Sequence, residues 1–252
     1  MSFPDPPSAV VQDEEEEEEI PDKREEVKKL LTDLKGQIRK RGLEDKDAIG
    51  TIETLMGEFE NSGPKDRKSI VKGLVEVYKQ KRGYSDEEGY DNKLYLATAV
   101  ALGFMGPECV KPVSKLIGDK KHRANLALQA RLVQSLGNTK AEDAVKPLLD
   151  LLGYKEYQIE QAAAQALGNF TELKEKARKM IFKEVLQALM SAYSAKEDDI
   201  NGETDAGKRY DAVSSSMVTT LQALSGHEEG TPPEWQTWWN KNKRADWSEL
   251  DD

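Results

Sequence analysis

Across 252 residues the sequence has a single cysteine, Cys109, and two histidines, His122 and His227. One cysteine excludes an intrachain disulfide and any zinc site built on cysteine pairs. Cys109 falls among apolar positions of a helical pattern, so it reads as a small buried hydrophobe rather than a nucleophile. The histidines lie far apart, and His227-Glu228-Glu229 lacks the second histidine of a zinc-protease helix. Also missing are a glycine-rich phosphate loop ahead of a Lys-Ser/Thr pair and a Gly-x-Ser-x-Gly elbow. Ser214-Ser215-Ser216 has no histidine near it in the sequence and reads as a small-residue packing face. No catalytic residue, metal or cofactor is therefore expected. No apolar run approaches the roughly 18 residues that span a bilayer, and no basic start precedes an apolar leader segment. The expectation is a soluble, cytoplasmic, monomeric protein with no membrane contact; a secreted or periplasmic mature form stays open, because a signal could have been removed.

Charge of one sign is scarce at the ends. Residues 1–22 carry nine acidic side chains (Asp5, Asp13, Glu14 to Glu19, Asp22) and no basic one. The other 230 residues hold 38 acidic and 37 basic side chains, so most of the net charge of −10 sits in the leader. Near the C-terminus Asp246, Glu249, Asp251 and Asp252 are acidic again. A near-neutral body gives no support to a nucleic-acid clamp, which needs a net basic face. Prolines 4, 6 and 7, the six-glutamate run and the absence of periodic apolar positions predict a disordered acidic tail over 1–21, and a second acidic tail over 246–252.

What is present is a repeat. Ala101-Leu102-Gly103, Ser135-Leu136-Gly137 and Ala166-Leu167-Gly168 each place a small residue, Leu and Gly in order, 34 and then 31 residues apart. Glu108-Cys109-Val110-Lys111-Pro112 and Asp143-Ala144-Val145-Lys146-Pro147 run in step with them. Two motifs sharing one period define a unit of two apolar-faced helices, too short to bury its hydrophobic face without neighbours. The small residues and glycines suit points where helices cross closely, with Gly also ending the helix.

At these residues the chain resembles the HEAT-repeat family, particularly a bacterial branch related to phycobilisome-lyase-type repeats. The match is carried by Leu116-Ile117-Gly118-Asp119 followed by a helix ending in Leu136-Gly137, and by Ile159 through Gly168. The resemblance spans about residues 47–226 and is strongest over 92–170. Gly153 stands where the family often has Asp in the inter-repeat turn, and Glu160 where it often has Arg. The resemblance implies a curved protein-binding scaffold. The fold class expected is all-α: a right-handed α-solenoid of about five HEAT-like helix pairs over 22–245, about eleven helices with no sheet, closed by an N-terminal capping helix and a Trp-rich C-terminal one.

Elsewhere, Val27, Leu30, Leu31, Leu34 and Ile38 mark the N-terminal capping helix, and Ser62-Gly63-Pro64 separates two helices of a divergent first repeat. Gly83 to Gly89 reads as a polar loop. Leu173 through Tyr193 form a long helix, taken as the second of its pair, with Lys174, Lys176, Arg178, Lys179 and Lys183 as a basic side. Residues 195–207 read as an insertion loop, after which Ala223-Leu224-Ser225-Gly226 repeats the motif. A calcium loop over Glu197 to Lys208 fails, since position one is Glu and position twelve is Lys208. Thr231-Pro232-Pro233-Glu234 is a capping box that opens a helix with Trp235, Trp238 and Trp239 on one face. That face is either a lid on the solenoid end, the preferred reading, or an aromatic hot spot.

The expected function is a non-catalytic scaffold that binds a protein partner on a concave face formed by second helices, with Lys111, Lys115, Lys146, Lys174, Arg178, Lys179, Lys183, Trp235, Trp238 and Trp239 as candidate contacts. The alternative is an enzyme or enzyme subunit of the chromophore-lyase type, to be distinguished by whether Cys109, Tyr84, Tyr90 and His122 gather in an open pocket.

Overall fold

The computed structural model describes residues 20–85 and 89–247. Most of the expected acidic leader and the last five residues of the C-terminal tail lie outside these. The described residues form eleven α-helices: α1 (Glu25–Gln37), α2 (Asp45–Phe59), α3 (Pro64–Val75), α4 (Lys93–Gly103), α5 (Val110–Leu116), α6 (Leu126–Asn138), α7 (Val145–Leu149), α8 (Tyr157–Leu167), α9 (Glu175–Asp198), α10 (Ala206–Ser225) and α11 (Pro232–Asn242). Within the loop expected at 83–89, Tyr84–Ser85 pairs antiparallel with Gly89–Tyr90, a hairpin of two residues per strand.

Local chemistry sets the helix ends. Asp22 acts at a distance, its Oδ1 accepting from the backbone N–H of Lys65 and Asp66 at 2.9 and 3.0 Å, so the chain entering α1 caps α3. Pro64 opens that helix, where a missing N–H costs nothing. Asn125 caps α6 through Leu128 N–H, and Thr231 caps α11 through Glu234 N–H while donating its hydroxyl to the Glu234 carboxylate. Pro112 and Pro147 each stand third in their helix. A proline ring clashes with the carbonyl four residues back, so the turns before them, Gly106–Cys109 and Glu142–Ala144, stay 3₁₀ and leave α5 and α7 with only 7 and 5 residues.

The helices stack in two layers around one continuous core that runs from Val27 to Trp247. Even-numbered helices α2, α4, α6, α8 and α10 lie side by side in one layer; odd-numbered helices form the other, with α11 on α9. Apart from that small hairpin, where no sheet was expected, the described residues thus form a helical solenoid of five pairs, α1/α2 through α9/α10, in which α1 closes one end while serving in the first pair. This pairing corrects three expectations. The helices on either side of Ser62-Gly63-Pro64 are not one repeat: α2 pairs with α1, and α3 opens the next pair with α4. The long helix α9 is the first member of its pair, in the odd layer with α5 and α7, rather than a second helix. The insertion shrinks to the seven residues between Asp198 and Ala206, since the extra length goes into α9 and α10, at 24 and 20 residues.

The repeated small-Leu-Gly motif is the crossing point of the even layer. A Cβ built on Gly103 would lie 3.2–3.4 Å from Ser135 and Asn138 of α6; on Gly137 it would lie 2.7–2.8 Å from Ala166 of α8, backbone included. On Gly168 it would meet Thr220 Oγ1 of α10 at 3.1 Å. None of the three glycines has positive φ, so close approach explains them and a left-handed helix end does not. Hydroxyls reinforce the crossings: Ser135 donates to Ala99 O and Thr220 to Ala164 O, both at 2.6 Å. Both acceptors lie three residues before the motif leucine, so Thr220-Leu221 is the next structural copy. The letters of Ala223-Leu224-Ser225-Gly226 match the motif, but their position does not.

The two departures from the family pattern meet each other. Glu160 Oε1 accepts from Gly153 N–H at 2.8 Å, as Gln129 Oε1 accepts from Gly118 N–H at 2.6 Å one repeat earlier. Gly118 and Gly153 both have positive φ, and the side chain four residues into the following helix satisfies the turn. Glu160 also pairs with Arg209 of α10 at 2.5 Å, its own side chain almost fully buried.

Candidate functional site

The ten candidate contacts all lie on odd-layer helices or at their ends, and the structure divides them. Trp235 and Trp238 are 0% and 8% exposed and pack with Trp239 and Trp247 around Phe182 of α9, with ring centroids 5.2–5.8 Å from it. His227 stacks on Trp238 at 4.9 Å. The Trp face is therefore a lid with its aromatic surface turned inward, and its hydrophobic payload is used in folding. Trp247, placed by the sequence in the acidic tail, is a buried part of it and donates its indole N–H to Asn242 O at 3.1 Å.

Arg178 and Lys179 serve the same end of the molecule. Arg178 donates to Leu224 O at the end of α10. Lys179 pairs with Glu175, donates to Ala245 O, and sits 5.3 Å above the Trp247 ring. Neither is free for a partner, which breaks up the basic side expected on α9. Lys174 and Lys183 remain exposed, Lys183 beside Glu184 at 3.3 Å.

Lys111 and Lys115 lie elsewhere, on a groove of about 830 Å³ between α3 and α5. The short α5 cannot cover the face that α3 presents, so Val71, Val75, Tyr78, Pro112, Leu116 and His122 line the floor. Lys68 and Lys72 stand one turn apart on the α3 wall, as Lys111 and Lys115 do on the α5 wall, with Lys79 and Lys121 at the far end. All six lysines are exposed. Lys79 pairs with Glu76; the other five have no carboxylate partner among the described residues. Two acids line the same groove, Glu108, which faces Arg67 at 3.7 Å, and Asp119, whose carboxylate accepts from Lys121 N–H. Sequence reasoning missed Lys68 and Lys72, whose i, i+4 spacing was the available signal.

Lys146 belongs to a different groove, of about 470 Å³ between α7 and α9, where Glu142, Asp150 and Glu184 outnumber it. It already faces Asp150 at 3.4 Å. The two grooves of the odd layer therefore have opposite electrostatic character.

The residues named for an enzymatic reading do not form an open pocket where the structure describes them. Cys109 is fully buried, and that burial, with Glu108 nearby, pushes its thiol up to about 12. His122 is buried with Nε2 2.8 Å from Tyr78 O, while the Tyr78 hydroxyl donates to Tyr95 O. Burial also raises the Tyr78 phenol well above its ordinary range. Tyr78 and His122, part of the groove floor, tie the end of α3 to α4 and to the loop after α5. The Tyr84 and Tyr90 side chains lie outside the described residues. In the loop after α9, Asp199 accepts from Glu203 N–H, Thr204 N–H and the Thr204 hydroxyl, so its carboxylate closes the loop on itself.

A stacked two-layer array with glycine crossings and repeat-equivalent turns agrees with the family comparison, in which the model of HEAT repeats matches residues 121–201, the span from α6 through α9. Over residues 121–201 the chain carries HEAT repeats. The match identifies the repeat family and not a branch within it. HEAT repeats generally mediate protein–protein interaction, and scaffolds built from them are typically non-catalytic. No curated protein and no solved structure matches the chain significantly. Among the described residues no helix is long and apolar enough to cross a membrane.

Proposed function

We propose that this HEAT-repeat chain is a non-catalytic interaction scaffold, and that its docking site is the α3/α5 groove. Five exposed lysines without carboxylate partners among the described residues, set around an apolar floor, carry the reading. Unpaired like charges on facing walls repel each other, and an acidic ligand relieves that repulsion as it binds. The floor of Val71, Val75, Pro112 and Leu116 asks for apolar side chains between the acids, which a protein segment supplies and a phosphate backbone does not. Among the described residues the groove also presents no arginine, the residue best suited to bidentate phosphate contacts. The partner is thus an acidic segment of a protein with apolar residues on one side.

The test is fluorescence anisotropy with a labelled acidic amphipathic peptide, on the full chain and on a Lys72→Glu, Lys111→Glu, Lys115→Glu variant. Charge reversal on the groove walls is expected to weaken binding by about tenfold or more at low salt, while Lys146→Glu in the other groove changes it little. A short DNA duplex that binds more tightly than the peptide, or a peptide indifferent to the triple reversal, would overturn the assignment.

A further inference from the structure

We infer that the α3/α5 groove is the resting place of the chain's own acidic leader, which an incoming partner must displace. The inference rests on the docking reading above and adds its first occupant. Two independent observations point to it.

The first is where the described chain begins. Gly63 N–H donates to Pro21 O at 3.0 Å, and Asp22 caps α3 through Lys65 and Asp66. The segment from Ile20 to Asp22 therefore lies across the N-terminus of α3, beside Pro64, which lines the groove. Whatever precedes Ile20 starts at the groove's mouth. The path to the α7/α9 groove runs past two further repeats, and the acids there oppose an acidic segment.

The second is complementarity of charge and length. Glu14 to Glu19 directly precede Ile20, and no basic residue stands anywhere in the leader. Six extended residues reach about 20 Å, and the twelve residues of α3 rise about 18 Å, so the glutamate run matches the wall that carries Lys68 and Lys72. A short tether holds the leader at an effective concentration on the order of millimolar, so even a weak intrinsic affinity keeps the groove substantially occupied. Because the lysines are exposed, the contact weakens as salt rises.

Zero-length carbodiimide cross-linking of the full chain, read by mass spectrometry on the monomer band, tests the placement. Links from Glu14–Glu19 to Lys68, Lys72, Lys111 and Lys115 that fade at high salt are expected. Links chiefly to Lys146, Lys174 or Lys183, or confined to dimers, would overturn it. The companion measurement titrates the acidic peptide into the full chain and into a variant with Glu14→Gln through Glu19→Gln. The neutralised leader is expected to raise peptide affinity by about threefold to tenfold at low salt, with the gap closing at high salt. Equal affinity at low salt would overturn the leader's occupancy while leaving the groove reading intact; loss of binding to both chains would overturn the groove itself.

Discussion

In the even layer Gly137 leaves no room for a Cβ against Ala166, and Ser135 and Thr220 donate across neighbouring helices. In the odd layer α5 and α7, cut short by the turns before Pro112 and Pro147, leave grooves on either side. One repeat thus yields a face built for cohesion and a face built with gaps. The difference comes from backbone chemistry: small residues let full-length helices approach, while an early proline fixes how much of an odd helix can form. The odd layer is held instead by its ends, through the Asp22 cap on α3 and the aromatic lid around Phe182.

If the odd layer depends on its lid, the largest single-site effect should fall there. Phe182→Ala removes the ring against which all four tryptophans pack and should cost about 3–5 kcal/mol in chemical denaturation. Tryptophan fluorescence should shift red as the indoles meet water. A loss below about 1 kcal/mol would mean that the lid folds without its centre and the odd layer is secured by other contacts. Next in size is Gly137→Val, which tests the even layer at its tightest crossing. Backbone atoms of Ala166 stand at 2.8 Å from the added Cβ and cannot swing aside, so overpacking should cost about 1–3 kcal/mol. Gly168→Val should cost less, because its closest neighbour is the Thr220 hydroxyl at 3.1 Å.

These crossings were also the most legible part of the fold. Ala101-Leu102-Gly103 and its two clear copies announced the repeat, because steric demand at a helix crossing leaves few residue types to choose from. The fourth copy was misplaced for a related reason: Thr220 does in the crossing what Ser135 does, through its hydroxyl, while Ala223-Leu224-Ser225-Gly226 copies only the letters. The layer assignment of α9 was hidden because periodicity shows an apolar stripe but not which neighbours cover it. Of the site, Lys111 and Lys115 were legible and Lys68 and Lys72 were not, since facing walls from α3 and α5 meet only in three dimensions. Arg178, Lys179 and Trp247 looked solvated in sequence, yet the C-terminal lid draws all three inward.

The smallest expected effect sharpens the contrast within the even layer itself. Gly50 lies in the middle of α2, exposed, with nothing within 4 Å of where a Cβ would stand and with helical φ. Glycine there exposes backbone to water and leaves the unfolded chain more freedom to lose, so Gly50→Ala should stabilise by about 0.5–1 kcal/mol. The same kind of change, addition of a side chain to a helical glycine, therefore takes opposite signs at positions 50 and 137. The sign depends on whether a neighbouring even helix passes over the residue, and helix propensity alone predicts stabilisation at both. Paired urea denaturation of Gly50→Ala and Gly137→Ala decides between these accounts. Stabilisation of both variants would show that α6 and α8 separate readily and that the even layer is looser than its crossings imply; a gain at 50 with a loss at 137 places the cohesion of the stack at the glycine crossings.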